Sequence, residues 1–263
     1  MANKIKKADE GKYPQVIAIH PFNGVLCGDC LHVLPSLPRA RMIFADPPDN
    51  LGLDYSEFTD KREDYDRWIG RVMMAAIFTK CDVFWLSFNS MHHMAVWSYI
   101  DTYLKQLPLE FREYIWHFTF GQHNTKTCGR GYRPLLCIKR KGVKLYPRAI
   151  MEPSARQEKY NDKRANPDGR VPCDVWEYSR ICGTFNERCS WHPNQHPIAL
   201  MRRIISYSTK PGDFVIDMFA GTGTTNHACW DLGRDCIGIE QSRYYCKMIR
   251  KEMAEWAGPT AEM

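Results

Sequence analysis

The chain of 263 residues is long enough for one large α/β domain or a core domain with an insert, but short for three independent domains. Hydrophobic residues make up 44% and charged residues 25%, which excludes a collagen, a coiled coil and a wholly disordered chain. No apolar run approaches the roughly 18 residues of a membrane span, and no apolar signal core follows Met1. We therefore expect a cytoplasmic protein without membrane contact, whose eleven cysteines are reduced thiols.

The net charge of +6 is concentrated in one part of the chain. Residues 126–190 contain fifteen Lys or Arg and seven Asp or Glu, a net charge of +8 that leaves −2 for the rest. The same segment carries the aromatic residues Tyr132, Tyr146, Tyr160, Trp176, Tyr178 and Phe185. Interleaved cations and flat rings are typical of a nucleic-acid surface. A solvated insert, whose charges only maintain solubility, explains the segment equally well.

The first half of the chain predicts alternating strands and helices. Short apolar runs predict strands at 41–45, 81–88, 113–120 and 135–138. Helical spacing of apolar residues predicts helices at 63–80 and 90–104, the second capped by Ser90. Because strands that alternate with helices pair in parallel, this order favours an α/β fold.

Proline, glycine and charge interrupt the pattern from Lys139 to about Ser190, and regular structure then resumes. A helix is predicted at 197–208, a buried strand at 214–219, a helix ending near Asp231, a strand at 236–240 and a helix from Ser242. The sequence thus predicts a Rossmann-like, doubly wound, mostly parallel sheet. One domain would comprise residues 1–139 and 191–263, with a basic insert at 140–190.

The late strand leads into a glycine turn, Asp217-Met218-Phe219-Ala220-Gly221-Thr222-Gly223-Thr224-Thr225. Such a turn brings backbone N–H groups and a helix N-terminus close to a ligand. Glu240 ends the next strand about 20 residues later, where an acid can bind two ribose hydroxyls. The combination indicates a nucleotide-like ligand, although a glycine pair alone also serves ordinary turns.

The early strand ends in Asp46-Pro47-Pro48-Asp49. Groups at the carboxyl ends of strands in an open α/β sheet collect in one crevice, so Asp46 should lie close to Gly221. Two prolines keep the backbone extended and direct the Pro47 carbonyl outward. A carboxylate and a rigid carbonyl are two acceptors that can hold one amino group. A simple strand-ending turn is the competing interpretation.

Together these motifs resemble the β-class DNA amino-methyltransferases, which use S-adenosylmethionine and carry the catalytic motif before the cofactor motif. Asp-Pro-Pro early and Asp-x-Phe-x-Gly-x-Gly-Thr-Thr late carry the resemblance. Gly28-Asp29-Cys30-Leu31 and His192-Pro193-Asn194-Gln195-His196-Pro197 extend it. The resemblance implies a circularly permuted class I methyltransferase fold, with the basic insert as the target-recognition region.

The resemblance also implies roles for individual residues. Asp46, Pro47, Pro48 and Asp49 would form the catalytic motif. Glu240 would hold the cofactor ribose, Asp29 its adenine amino group, and the turn of Gln195, His196 and Pro197 its carboxylate. Asp217 would support the amino-acid end. The methionine part would be cradled by Phe219, Gly221, Thr222, Gly223, Thr224 and Thr225.

Two residues depart from the family pattern. The family usually has an aromatic residue that stacks on the flipped base where this chain has Asp49, and an aspartate cannot stack. Tyr55, Phe58 or Trp85 could supply the ring instead, or Asp49 could hydrogen-bond an unusual base. The family usually has lysine at the position of His196, so a neutral histidine would bind the cofactor carboxylate more weakly.

The resemblance implies methylation of an exocyclic amino group in duplex DNA on a base rotated out of the helix. The aspartate that begins the motif favours N6 of adenine over N4 of cytosine. RNA or a free nucleotide as substrate, and a DNA-binding or cofactor-sensing protein without catalysis, remain alternatives. No metal is expected, because Cys27 and Cys30 lack a second ligand pair. A homodimer is compatible with the sequence, but no residue requires one.

Overall fold

A computed structural model describes residues 23–79, 81–118 and 124–257. The strands of these residues are β1 Asn23–Cys27, β2 Met42–Ala45, β3 Asp54–Tyr55, β4 Phe58–Thr59, β5 Val83–Ser87, β6 Leu109–His117, β7 Tyr132–Arg140, β8 Val175–Glu177, β9 Phe214–Asp217 and β10 Asp235–Glu240. The helices are α1 Cys30–Val33, α2 Tyr65–Phe78, α3 His93–Tyr99, α4 Ala155–Glu158, α5 Ile198–Ser208, α6 Thr224–Leu232 and α7 Arg243–Ala257.

Eight of the described strands form one sheet in the order β1-β10-β9-β2-β5-β7-β6-β8. Pairing is parallel except on both sides of β7, which runs antiparallel to β5 and β6. No crossover helix lies between β6 and β7 in the described residues, so β7 returns beside β6 in the opposite direction. The prediction of a doubly wound, mostly parallel sheet is confirmed.

Side chains of the central strands alternate between two apolar layers. Ile43 and Ile216 belong to the layer covered by α2, whereas Phe44 and Val215 face α5 and α6. Because helices cover both faces, a central strand such as β2 is apolar at every position. Full burial of each such side chain contributes about 1.5–3 kcal/mol. Packing on both faces holds the central strands in place, and the site lies at the carboxyl ends of these strands.

The predicted elements are all present in the described residues, with shifted ends. The helix predicted at 90–104 begins as a short 3₁₀ turn, and the side chain of Asn89, not Ser90, accepts a hydrogen bond from the Met91 N–H at 3.1 Å. It ends in a π-helical turn, Ile100–Leu104. The strand predicted at 113–120 begins at Leu109 and ends at His117, because nine residues pair with β7. Residues 119–123 lie outside the described part.

The segment 140–190 contributes to the main sheet. Its strand β8 pairs with β6, and Trp176 on β8 is only 1% exposed, packed against Trp85 and Tyr114. Trp176 therefore cannot belong to the nucleic-acid surface that the sequence predicts, whereas Tyr160 is 74% exposed and remains available to it. Because β8 pairs with β6, the segment is joined to the main sheet. Its predicted boundaries at residues 140 and 190 stay a prediction.

Two further properties concern the described residues as a whole. None of the helices in that part of the chain combines the length and apolar character needed to cross a bilayer. No cluster of three or more His, Cys, Asp or Glu side chains in the same residues has an arrangement suited to a metal ion.

Candidate active site

The Asp46 motif and the glycine turn follow neighbouring strands. β2 pairs with β9, with Phe44 opposite Asp217, and the Met218 N–H donates to the Phe44 carbonyl at 2.9 Å. The two chain segments therefore leave the sheet side by side at the carboxyl ends of their strands. Asp46 and Gly221, distant in sequence, both line a single cavity.

The glycine turn is held by its own side chains. Buried Asp217 accepts hydrogen bonds from the Phe219 N–H at 2.9 Å and from the Thr225 hydroxyl. Burial raises the pKa of Asp217 to about 7, although both hydrogen bonds act in the opposite direction. Gly223 has a φ of +76°, and a Cβ there would lie 2.9 Å from an Ile249 methyl carbon. The turn thus requires glycine at 223 for both backbone angle and space.

Two further carboxylates follow the strands on the other side of β9. Glu240, at the end of β10, accepts the Gly221 N–H at 3.0 Å and the Ser242 N–H at 2.8 Å, one on each oxygen. Burial raises its pKa, and these backbone hydrogen bonds lower it in part. Asp29 follows β1 and caps α1 by accepting the Leu31 N–H at 2.7 Å. Three adjacent strand ends therefore present two acids and a glycine turn.

The cavity between these groups has a volume of about 830 Å³, within the range of small-molecule sites. Of the predicted site residues, those that line it are Asp29, Asp46, Pro47, Pro48, Asp49, Gln195, His196, Asp217, Phe219, Gly221, Thr222, Thr224, Thr225 and Glu240. Pro197 and Gly223 do not line it. The carboxylates and the outward-facing carbonyl of the motif are acceptors that suit a ligand rich in N–H and O–H donors, such as a nucleoside with an amino-acid tail.

Arg133 is a site residue that the sequence did not predict. It lies on β7, and its guanidinium reaches both acids of the Asp-Pro-Pro-Asp motif. Nη2 donates to Asp46 Oδ1 at 2.6 Å, and Nη1 donates to Asp49 Oδ2 at 3.0 Å. Nε donates to the Ser87 hydroxyl at 2.7 Å. The second oxygen of Asp49 lies 2.9 Å from Nη2, so both terminal nitrogens contact this acid.

The Asp49 carboxylate is directed at Arg133. Its side chain is 14% exposed, and Asn89 Nδ2 donates to Oδ2 at 3.2 Å. Burial disfavours the charged form of Asp49, but Arg133 and Asn89 together hold its pKa below the ordinary value. Burial likewise opposes the charge of Arg133, and the two acids nevertheless raise its pKa. Asp49 and Arg133 are therefore both charged at neutral pH.

His196 lies beside Asp46. Its Nδ1 is 3.4 Å from Asp46 Oδ2, its Nε2 is 3.4 Å from the Ser87 hydroxyl, and its ring packs on Trp116. Burial lowers the pKa of His196, and the nearby Asp46 carboxylate offsets only part of that effect, so the ring is neutral at pH 7. Its predicted contact with the cofactor carboxylate stays a prediction.

The loop before α5 is held by Gln195. Its amide nitrogen donates to the Glu187 carbonyl at 2.6 Å, and its oxygen accepts the Cys189 N–H at 2.7 Å. Within the same loop His192 approaches Gly221, and burial lowers the pKa of His192 to about 4. The loop therefore lies against the glycine turn at His192 and against the Asp46 motif at His196.

Several aromatic rings form the walls of the cavity. Tyr55 and Phe58 are stacked with centroids 5.5 Å apart and planes 9° from parallel. Trp85, the third ring suggested by the sequence, is fully buried in the core and donates to the Ser208 hydroxyl, so that suggestion is wrong. Additional rings from the β6–β7 region line the cavity at Trp116, Phe118 and Tyr132.

Replacing Glu240 tests its predicted role in holding the cofactor ribose. We expect Glu240→Ala to weaken binding of S-adenosylmethionine by about 10- to 100-fold, because a buried charged acceptor contributes about 1.5–3 kcal/mol. Isothermal calorimetry measures this directly. The matched control is Glu110→Ala, since Glu110 pairs with Lys139 outside the cavity. A dissociation constant for Glu240→Ala within about threefold of the parent would contradict the assignment.

Comparison with known proteins agrees with this geometry. The family model N6_N4_Mtase, described as "DNA methylase", matches residues 40–251. The chain belongs to this family of DNA methylases. It is 30% identical over 240 residues to "DNA adenine methyltransferase YhdJ" of Escherichia coli (strain K12), covering 85% of this chain and 80% of the relative. It is 30% identical over 238 residues to "Type II methyltransferase M.HpaI" of Haemophilus parainfluenzae, covering 87% and 73%.

Solved structures share the fold of this methylase. The PvuII DNA methyltransferase (cytosine-N4-specific) superposes with a TM-score of 0.66 at 15% identity, covering 88% of this chain and 86% of that one. The M1.HpyAVI–SAM complex gives a TM-score of 0.56 at 22% identity, covering 87% and 98%. The fold is therefore that of the class I methyltransferases.

Proposed function

We propose that this DNA amino-methyltransferase transfers the methyl group of S-adenosylmethionine to N6 of adenine, with Asp46 and Pro47 as the groups that hold the amino nitrogen. One observation carries the assignment of residues. The Asp46 motif and the Gly221 turn, from opposite ends of the chain, line the same cavity. The two halves of the reaction, an acceptor pair and a cofactor cradle, thereby meet.

The cofactor half of the site consists of groups that suit the parts of S-adenosylmethionine. Glu240 would bind the ribose hydroxyls, Asp29 the adenine amino group, and the turn from Phe219 to Thr225 the methionine part. When bound, the cofactor supplies an electrophilic methyl group. The hydrogen bonds of Glu240 and Asp29 to backbone N–H groups leave further acceptor capacity on both carboxylates.

The other half of the site would prepare the amino group. An exocyclic amino nitrogen is a poor nucleophile because its lone pair is delocalised into the base. Asp46 and the Pro47 carbonyl can each accept one of its hydrogens, which draws the nitrogen toward tetrahedral geometry. Among the described residues, no donor contacts the Pro47 carbonyl, and the Tyr65 hydroxyl fixes the next carbonyl, that of Pro48, at 2.7 Å. A fixed carboxylate then stabilises the positive charge that develops on nitrogen.

The base must leave the duplex to reach this position. Rotation out of the helix costs a few kcal/mol, which stacking and phosphate contacts would offset. Tyr55 and Phe58 form a flat wall of the cavity that suits a base, and Trp116 lies behind His196. Segment 140–190, part of the most basic stretch of the sequence, would contact the DNA backbone as the target-recognition region.

The preference for adenine rests on two considerations. The motif begins with aspartate, the residue that the resemblance associates with N6 of adenine. In addition, the relative from Escherichia coli, 30% identical across 85% of this chain, is named as a DNA adenine methyltransferase.

Cations at the rim of the cavity provide a test of DNA binding. Lys61 and Arg130 are exposed, line the cavity and belong to different loops. We expect Lys61→Ala and Arg130→Ala each to reduce the slope of log Kd against log salt by about one, as the loss of one phosphate contact requires. Fluorescence anisotropy on duplex DNA measures the slope. Lys251→Ala, an exposed lysine of α7 paired with Glu255, serves as control. Slopes that match the control would contradict this role.

Nucleoside analysis tests the reaction itself. The purified protein is incubated with cofactor carrying a tritiated methyl group and with unmethylated genomic DNA, and the digested nucleosides are separated by chromatography. We expect the label in N6-methyldeoxyadenosine. Label in N4-methyldeoxycytidine would overturn the adenine preference, and label only in added RNA or mononucleotides would overturn DNA as substrate. DNA binding without transfer of label would favour a protein that has lost catalysis.

A further inference from the structure

The contact between Arg133 and Asp46 raises a problem for the proposed reaction. A guanidinium 2.6 Å from Asp46 Oδ1 competes for the oxygen lone pairs that should hold the amino group. In addition, a pair formed only by the Arg133 guanidinium and the Asp46 carboxylate would have a net charge of zero. A neutral ion pair stabilises a positive charge developing on nitrogen much less than an unpaired carboxylate does.

Asp49 removes this problem by its charge. With Asp49 ionised, the two acids and one guanidinium carry a net charge of −1, and both terminal nitrogens of Arg133 contact the Asp49 carboxylate. Arg133 therefore divides its two terminal nitrogens between the two acids and donates one hydrogen bond to each. The negative charge of Asp46 is thus only partly neutralised by Arg133. Its Oδ2, which faces His196, is not bonded to the guanidinium and can accept a hydrogen of the amino group.

The other groups around Asp46 do not supply a compensating charge. His196 and His192 are neutral at pH 7, because burial lowers the pKa of each. The Tyr55 and Tyr65 hydroxyls and buried Asp217 also lie within electrostatic range of Asp46. Burial raises the pKa of both tyrosines, so they are neutral as well. Arg133 is the cation that contacts Asp46 among the described residues.

We propose that Asp49 is a positioning residue that holds the guanidinium of Arg133, so that the buried cluster keeps one net negative charge for the amino group bound at Asp46. This inference rests on the proposed role of Asp46. It explains why an aspartate stands where the family usually has a stacking ring: the charge of Arg133 beside Asp46 requires a second acid, and Asp49 supplies it. Base stacking then falls to the rings on the cavity wall, such as Tyr55 and Phe58.

A double-mutant cycle tests this pairing, because the charge of the cluster differs among the four proteins. With every acid ionised, the parent carries −1, Asp49→Asn carries 0, Arg133→Met carries −2, and the double variant returns to −1. The measurement is kcat for methyl transfer to duplex DNA from pH 6 to pH 10. Cofactor affinity by calorimetry and thermal unfolding identify any variant that fails to fold.

The expected result is rescue. Asp49→Asn should lower kcat about 100-fold, since the guanidinium turns wholly to Asp46. Arg133→Met should lower kcat about 100-fold at pH 7 and much less at pH 9, because without the guanidinium the two facing carboxylates share a proton at pH 7, which occupies an acceptor oxygen and is lost as the pH rises. The double variant should regain at least about tenfold over either single variant at pH 7. A merely structural role of Asp49 would produce neither rescue nor a pH shift.

Each alternative outcome has a definite meaning. The inference would be overturned if the two decreases in kcat were additive in the double variant. It would also be overturned if the pH profile of kcat for Arg133→Met matched that of the parent. A parent protein without methyl transfer, or an Asp46→Ala variant with full activity, would instead overturn the proposed function. The same cycle on the exposed pair Asp101 and Lys105, which lies outside the cavity, should leave kcat unchanged and serves as control.

Discussion

Asp46→Ala is expected to lower kcat for methyl transfer by about 1,000-fold and to leave the affinity for S-adenosylmethionine within about threefold of the parent. The carboxylate would contact the amino group that becomes positively charged, so its loss acts on the transition state. The proposed cofactor cradle of Asp29, Gly221 and Glu240 lies on the strands to one side and makes no hydrogen bond to Asp46. A tritiated-methyl assay and calorimetry measure the two quantities.

The structure also indicates that this variant should fold. Arg133 retains the two contacts to Asp49 and the hydrogen bond to Ser87, so no buried cation is left without a partner. Asp101→Ala, which removes an exposed carboxylate, is the matched control. Activity of Asp46→Ala near that of the parent would contradict the role of Asp46, and an equal loss of cofactor affinity would place Asp46 in the cofactor site instead.

Trp176→Ala is expected to destabilise the protein by about 3–5 kcal/mol, the usual cost of removing a large aromatic side chain from a core. The ring lies 4.8 Å from the Tyr114 ring and 5.9 Å from the Trp85 ring, and its Nε1 donates to the Cys173 carbonyl at 2.8 Å. Thermal unfolding should show a decrease in Tm of roughly 10 °C.

A matched control lies in the same segment. Tyr160 is 74% exposed, so Tyr160→Ala should change the free energy of unfolding by less than about 0.5 kcal/mol. If both variants unfolded at the temperature of the parent, residues 140–190 would fold separately from the sheet. The expected difference would show that β8 anchors the basic segment, so that its loops are held at a fixed distance from the cavity.

The Asp46 motif and the glycine turn could be predicted because both follow buried strands directly. Asp46 and Gly221 each stand just beyond an apolar run, and strand ends in a parallel sheet share one edge. The motif order then identified the family, whose model matches residues 40–251. Local sequence was sufficient here because the distance along the chain from strand to functional group is only a few residues.

Arg133 could not be predicted in the same way, since its position depends on antiparallel pairing. β7 lies beside β5 with Leu135 opposite Ser87, and this register carries Arg133 past the end of β5 to the Asp46 motif. The single local signal was an arginine two residues before the apolar run at 135–138. Register is set by packing of distant strands, which the sequence of one strand does not specify.

Trp176 shows the opposite limit. In the sequence it is one aromatic residue among many cations, a pattern that fits a nucleic-acid surface. Three residues of β8 suffice to bring it under the sheet edge, where it becomes part of the core. So short a strand has no detectable periodicity, so its own sequence does not predict that Trp176 is buried. The burial results from pairing of β8 with the edge of β6.

A crystal structure with bound S-adenosylmethionine would test the central claim most directly, through the distance from the cofactor methyl carbon to the nearer carboxylate oxygen of Asp46. A hydrogen bond of about 3 Å and a near-attack separation of about 3.5 Å limit that distance to about 6.5 Å. The account predicts a value at or below this limit, with the ribose at Glu240. A methyl carbon more than about 10 Å from Asp46 would contradict it.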